Sequence, residues 1–224
     1  KMSMYNADGS EGKMCGNGIR CVAKYVYDYK MIDKEVITVE TLAGIKTLKL
    51  NVENGKVKTV RVNMGSPIIN AKDVPVISDK EKVINEPVVI DGKEYGITCV
   101  SMGNPNCVIH LDEISKEKAM ELGPYVENAS YFPNRINMQL CKVMDRGHIR
   151  VEIYERGAGY TLASGTGACA AAAASHKLGL VDDRIEVTMP GGQLLIEIGE
   201  DGSVFLTGEV QKIGTILMAE HFLA

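Results

Sequence analysis

Two short stretches of this sequence place a small nucleophilic side chain directly ahead of paired glycines: Cys15-Gly16-Asn17-Gly18 and Ser164-Gly165-Thr166-Gly167. A helix-like pattern follows each. A helix N-terminus carries unpaired N–H groups and the positive end of the macrodipole, so two such loops across one cleft would hold an anion such as a carboxylate. The glycines allow a bound group to approach the backbone closely. The same dipole favours the thiolate of a cysteine at the helix entry, which makes Cys15 a candidate base or nucleophile. Ser164 is the weaker acid, and no His or Lys adjoins it in sequence to activate it. Neither loop carries the lysine of a phosphate-binding P-loop.

The elements that must position these loops can be read from periodicity. Ile19, Val22, Ala23 and Val26 recur at helical spacing, predicting an amphipathic helix over 17–29. Strands are expected at 36–41, 45–52 and 57–63, with turns at Ala43-Gly44 and Asn54-Gly55, after a strand end at 2–5. Further strands are expected at 87–91, 95–101, 106–111, 136–143 and 148–155. Ser115 caps a short helix expected to stop at Gly123-Pro124. The alanine run Ala168–Ala174 predicts a helix enclosed on nearly all sides, followed by strands at 184–188, 193–198 and 203–207.

Residues 1–64 overlay 150–208 with an offset of 149 that slips by two residues at the hairpin, where Glu53-Asn54-Gly55 meets Glu200-Asp201-Gly202. Tyr5 falls on Tyr154, Cys15 on Ser164, Gly16 on Gly165, Gly18 on Gly167 and Asp33 on Asp182. One supersecondary unit is used twice. The expected architecture is therefore α+β, two pseudo-symmetric lobes, each a curled and mostly antiparallel sheet around a central helix, with the site between them. The first lobe comprises 1–64 with the apolar tail 212–224 returning to it, and the second 65–211. Only residues 1–14 precede Cys15, whereas strands and a helix reach back from Ser164 to Val100, so repeat arithmetic predicts about 50 further residues ahead of Lys1.

Composition sets outer bounds. The chain has 224 residues, 45% hydrophobic and 24% charged, with a net charge of −4. Without a basic block, and with no Trp and three Phe, it lacks the features of a nucleic-acid or anionic-membrane partner. No apolar run approaches the ~18 residues that cross a bilayer. Cys15, Cys21, Cys99, Cys107, Cys141 and Cys169 form no CxxC pair and no metal spacing with the histidines. They read as reduced thiols of a cytoplasmic protein, with no metal expected.

The motifs together resemble one family. Asn6-Ala7-Asp8-Gly9-Ser10-Glu11 with Met14-Cys15-Gly16-Asn17-Gly18-Ile19-Arg20-Cys21 is similar to the first signature of the diaminopimelate epimerases. Glu155-Arg156-Gly157-Ala158-Gly159 through Gly165-Thr166-Gly167-Ala168-Cys169 resembles the second. Gly103-Asn104-Pro105 and Phe132-Pro133-Asn134-Arg135-Ile136-Asn137 resemble the intervening substrate-binding stretches.

The resemblance implies cofactor-independent inversion at an amino-acid α-carbon, interconverting LL- and meso-diaminopimelate in lysine and cell-wall biosynthesis, by a homodimer. It implies that Cys15 exchanges the α-proton and that Gly16, Asn17, Gly165 and Thr166 hold the reacting end. Asn6, Asn104, Asn137 and Arg156 would bind the far amino and carboxylate groups, and Glu155 would bind substrate and tune the catalytic pair. Three positions depart from the family pattern: Ser164 stands where its second cysteine is expected, Asn106 where a pKa-tuning His is, and Tyr160 where Glu is usual. The departures keep two alternatives in view: a racemase of another amino acid on the same fold, and a non-catalytic amino-acid-binding relative.

Overall fold

A computed structural model of the chain describes residues 1–5, 9, 11, 12 and 14–219. Its first unit holds helix α1 (Gly16–Asp28) and strands β1 (Val36–Thr41), β2 (Gly44–Glu53) and β3 (Lys56–Gly65). Then come β4 (Glu86–Ile90), β5 (Lys93–Ser101), β6 (Pro105–His110), α2 (Lys116–Glu127), β7 (Asn137–Asp145), β8 (His148–Glu155) and β9 (Gly159–Thr161). The second copy of the repeat closes the chain with α3 (Gly165–Lys177), β10 (Arg184–Met189), β11 (Gly192–Ile198) and β12 (Val204–Glu209). No helix among the described residues is long and apolar enough to cross a membrane.

The strands form one curled, unclosed sheet in the order β1-β2-β3-β12-β11-β10-β8-β7-β6-β5-β4, with β9 on β8. Pairing is antiparallel except between β6 and β7 and between β8 and β10. The two units meet at β3 and β12, where Leu206 faces Val62.

The 149-residue offset carries over into backbone pairing. The Met2 N–H donates to Glu40 O, and the shifted residues, Val151 and Met189, directly follow the last rung of the parallel β8–β10 ladder, Arg150–Thr188. The isolated bridge Tyr5–Glu11 is likewise the counterpart of the β8–β9 pair Tyr154–Tyr160. A repeated sequence here yields repeated backbone pairing.

Parity along the strands decides what each helix packs on. Val100, Val108, Cys141 and Val151 face α3, while Cys99, Cys107, Ile109, Met138 and Leu140 belong to the core under α2. These strands are buried on both faces. The inner residues Ala168, Ala170, Ala171, Ala172 and Ala174 are all fully buried, so alanine is the side chain that lets α3 lie inside the curl.

Three local expectations need correction. Helix α2 does not stop at Gly123-Pro124 but runs to Glu127. Pro124 costs the helix one amide donor, at an exposed turn where Met120 faces water. Gly123 is instead a packing position, because a Cβ there would overlap the Tyr154 ring. In α1 the inward residues are Gly16, Ile19, Arg20 and Ala23, so the helix is turned by one position from the apolar stripe and carries a cation on its buried face. The turn at 155–159 is followed by the short strand β9, absent from the sequence reading. In the tail, Lys212 Nζ donates to Tyr29 Oη on α1, and Ile213, Ile216 and Leu217 are exposed.

At the last turn of α3, Ser175 Oγ donates to Ala171 O and lies 2.8 Å from His110 Nε2, with Cys141 Sγ at 3.6 Å. Burial lowers the His110 imidazole to about 4 and raises the Cys141 thiol to about 12. The folded protein thus binds fewer protons at His110 than the unfolded chain between pH 6.5 and about 4, so stability falls as pH drops through that window. Replacing His110 by Gln should remove about 2–3 kcal/mol of the stability lost between pH 7 and pH 4.5, read from urea unfolding. An unchanged pH dependence would refute this.

Candidate active site

The two loops singled out from sequence meet. Cys15 and Ser164 are the N-caps of α1 and α3, both with extended backbone. Each side chain accepts the third amide of its own helix: Gly18 N–H to Cys15 Sγ at 3.3 Å, and Gly167 N–H to Ser164 Oγ at 3.2 Å. A Cβ built on Gly16 would lie 3.9 Å from the Gly165 Cα, and one built on Gly165 would lie 3.8 Å from the Gly16 Cα. The first residues of both helices are therefore in van der Waals contact, which larger side chains at these positions would prevent.

Among the described residues, the N–H groups of Gly16, Asn17, Gly165 and Thr166 have no hydrogen-bond partner. Four donors and two positive dipole ends converge there, a set suited to a carboxylate. Cys15 is partly exposed and Ser164 is buried.

On the Ser164 side a continuous chain of neutral groups leads inward. Gln139 Nε2 donates to Asn106 Oδ1 at 3.1 Å, Asn106 Nδ2 donates to Asn104 Oδ1 at 3.3 Å and to Asn104 O at 2.7 Å. Asn104 Nδ2 donates to Thr166 Oγ1 at 3.2 Å, and Thr166 Oγ1 lies 3.4 Å from Ser164 Oγ. Every member is an amide or a hydroxyl, so the chain orders Ser164 and Thr166 but offers no base to either. Asn106, fully buried, is thus bonded into the wall of the site. Gln139, whose Oε1 is buried without a partner among the described residues, is a site residue that sequence reasoning missed.

The other expected substrate-binding residues lie at the ends of β7 and β8. Asn137 Nδ2 donates to Pro105 O, and its Oδ1 accepts the Arg156 N–H at 2.9 Å, so Asn137 ties two loops together. The Arg156 side chain is exposed and donates to Asn134 O; Glu155 beside it is half-buried. The buried Glu127 carboxylate fixes this turn from below, accepting from Gly157 N–H and pairing with Arg135. Tyr160, where the family pattern has Glu, donates to the buried Glu152 carboxylate at 2.6 Å. Burial and that carboxylate push its phenol up to about 12. Asn6 lies outside the described residues.

Arg20 also went unread in sequence. Its Nη1 donates to Gly16 O at 2.9 Å and its Nη2 to Asn17 Oδ1 at 3.0 Å. It is 8% exposed. Burial pulls its guanidinium below the ordinary value, partly offset by the thiols of Cys21, Cys15 and Cys169. The available signal was a charged residue one position after Ile19 on a helix whose first turn must be buried for the glycine loop to work.

The chain matches the profile described as Diaminopimelate epimerase over residues 1–69 and 98–213. A protein named diaminopimelate epimerase from Acetivibrio thermocellus is 50% identical over 214 residues, covering 95% of this chain and 76% of that one. One of the same name from Methanococcus maripaludis is 46% identical, covering 95% and 77%. The fold is shared with a probable proline racemase from Agrobacterium radiobacter, at 14% identity and a TM-score of 0.71, over 97% of this chain and 71% of the other. On identity and coverage together, this chain belongs to the diaminopimelate epimerase family.

Proposed function

We propose that this chain is an isomerase that interconverts LL- and meso-2,6-diaminopimelate by exchanging the α-proton at Cys15. The observation that carries the reading is the pairing of Cys15 and Ser164 as matching N-caps of two helices whose first residues touch. The reacting carboxylate accepts from the amides of Gly16, Asn17, Gly165 and Thr166. The distal amino and carboxylate groups reach Asn6, Asn104, Asn137, Glu155 and Arg156.

Thiolate Cys15 takes the α-proton; the C–H electron pair remains on the α-carbon and is delocalised into the carboxylate. The four amides stabilise the charge that builds there. The resulting Cys15 thiol returns a proton to the same carbon. Ser164 is the donor on the opposite face, and a hydroxyl linked only to amides and hydroxyls gives up its proton poorly. Exchange with retention should therefore outrun inversion.

Six unpaired cysteines support a reducing, cytoplasmic setting. The homodimer is proposed on family resemblance alone, and no cofactor enters the chemistry.

The test is incubation with LL-diaminopimelate in D₂O, following the α-proton by NMR and the meso product by chiral chromatography. Deuterium uptake faster than meso formation is expected, with both lost in Cys15→Ala. Exchange that survives Cys15→Ala would remove Cys15 as the base. Uptake on another amino acid with none on diaminopimelate would replace the substrate.

A further inference from the structure

Arg20 is a buried cation in a place that disfavours one. It opens the second turn of α1 and its head group reaches back to the first, where the helix dipole is already positive, and no carboxylate pairs with it among the described residues. Its Nε is buried and has no acceptor among the described residues. A charge held this way is costly unless an anion offsets it. Gly208 on β12 makes the room, because a Cβ there would lie 2.9 Å from both Arg20 Cζ and Nε. The head group borders a cavity of about 400 Å³ that Asn17, Gly165, Gln193 and Glu209 also line.

The hydrogen bonds give this cation two tasks. A guanidinium only donates, so the Asn17 side chain must turn its oxygen toward Arg20 and its NH₂ away from it. Nη1 grips Gly16 O, the carbonyl of the Gly16–Asn17 peptide. In a trans peptide the N–H points opposite to the carbonyl, so Asn17 N–H is aimed out of the helix start. The repeat shows that this arrangement is one-sided. The position equivalent to Arg20 in α3, at the offset of 149, is Cys169, fully buried, its thiol pushed up to about 12 by burial. The start of α3 is instead held by the neutral chain from Gln139 to Thr166.

We propose that Arg20 is a positioning residue for the α1 half of the site: it aims the Asn17 donors at the substrate carboxylate and keeps a positive charge beside Cys15, making Cys15 the resting base of the pair. The proposal deepens the reading of Cys15 as base and rests on it. Among the described residues, the charged and titratable groups facing this corner are Arg20 and Cys21 on α1, Cys169 on α3 and Glu209 at the end of β12. With Cys169 held as a neutral thiol, Arg20, bonded to Gly16 and Asn17, is the cation at this corner among the described residues.

Two neutral variants, Arg20→Gln and Arg20→Met, and the charge-retaining Arg20→Lys separate the tasks. The first readout is alkylation of Cys15 by iodoacetamide in the folded full chain, resolved by peptide mass spectrometry, which needs no turnover. In both neutral variants the rate at pH 7.5 should fall about ten-fold, and it should stay within about two-fold of wild type in Arg20→Lys. Met suits the apolar surroundings should Gln fail to fold. An unchanged rate in the neutral variants, or an equal loss in Arg20→Lys, would overturn the charge role.

The second readout is α-proton exchange on diaminopimelate. Arg20→Lys loses the two-pronged grip, so KM should rise about ten-fold with kcat changed less; unchanged KM would overturn the aiming role. If the wild-type chain exchanges no α-proton, the functional reading fails while the alkylation result still reports on Arg20.

Discussion

Replacing Ser164 with Cys should raise the rate of diaminopimelate inversion by about 100-fold or more while leaving α-deuterium exchange through Cys15 nearly unchanged. The geometry for a second thiol is in place. Ser164 caps α3 as Cys15 caps α1, and the amide-to-side-chain distances, 3.2 Å and 3.3 Å, differ by far less than the two side chains do in acidity. What the serine lacks is proton affinity matched to the task. Giving its proton to the carbanion would leave an alkoxide, far too strong a base to form readily, and the amides and hydroxyl of Thr166, Asn104, Asn106 and Gln139 include no acid or base to resupply the proton. The ratio of meso formation to deuterium uptake, measured in one D₂O incubation, is the quantity to compare. If Ser164→Cys leaves it unchanged, Ser164 does not face the second side of the α-carbon. Adding Asn106→His should raise it further, since an imidazole at that buried position would put a titratable group into the chain.

Much of this was legible because the sequence is written twice. The offset of 149 that aligned Cys15 with Ser164 also predicts a backbone pairing, Tyr5 with Glu11 as Tyr154 with Tyr160. Alternating and helical patterns report burial directly, and burial fixed nearly every strand. Other features depend on partners distant in the chain. Gly123 looks like a helix stop until Tyr154 is packed on it, and Pro124 is tolerated because its turn faces water. Asn137 and Glu127 hold loops together through side chains whose partners, Arg156 and Gly157, lie on a separate strand end. Arg20 is hardest to see: its spacing marks an inner face, its charge argues for an outer one, and only the grip on Gly16 and Asn17 reconciles them.

The contact between the helix starts leads to a graded expectation at Gly16. A single added carbon would meet Gly165 Cα, Leu206 Cδ1 and Met64 Cε at 3.9 Å each, which is ordinary packing, so Gly16→Ala should fold normally and keep KM for diaminopimelate within about five-fold. Gly16 has no positive φ, so the backbone does not resist the change either. A branched side chain is different. The two further carbons of Gly16→Val must enter the space between α1 and α3, which drives apart the four amides that face the carboxylate. A displacement near 1 Å at such a site costs on the order of 100-fold in rate. We expect Gly16→Val to lose at least that much in kcat/KM for α-proton exchange. Its thermal midpoint should fall only a few degrees, because the strain sits at a cleft rather than in the closed core around α3. Near-normal exchange in Gly16→Val would show that the carboxylate does not lie between the helix starts. An equal loss in Gly16→Ala would point to backbone freedom at Gly16, rather than the spacing of the two helices, as what the site requires.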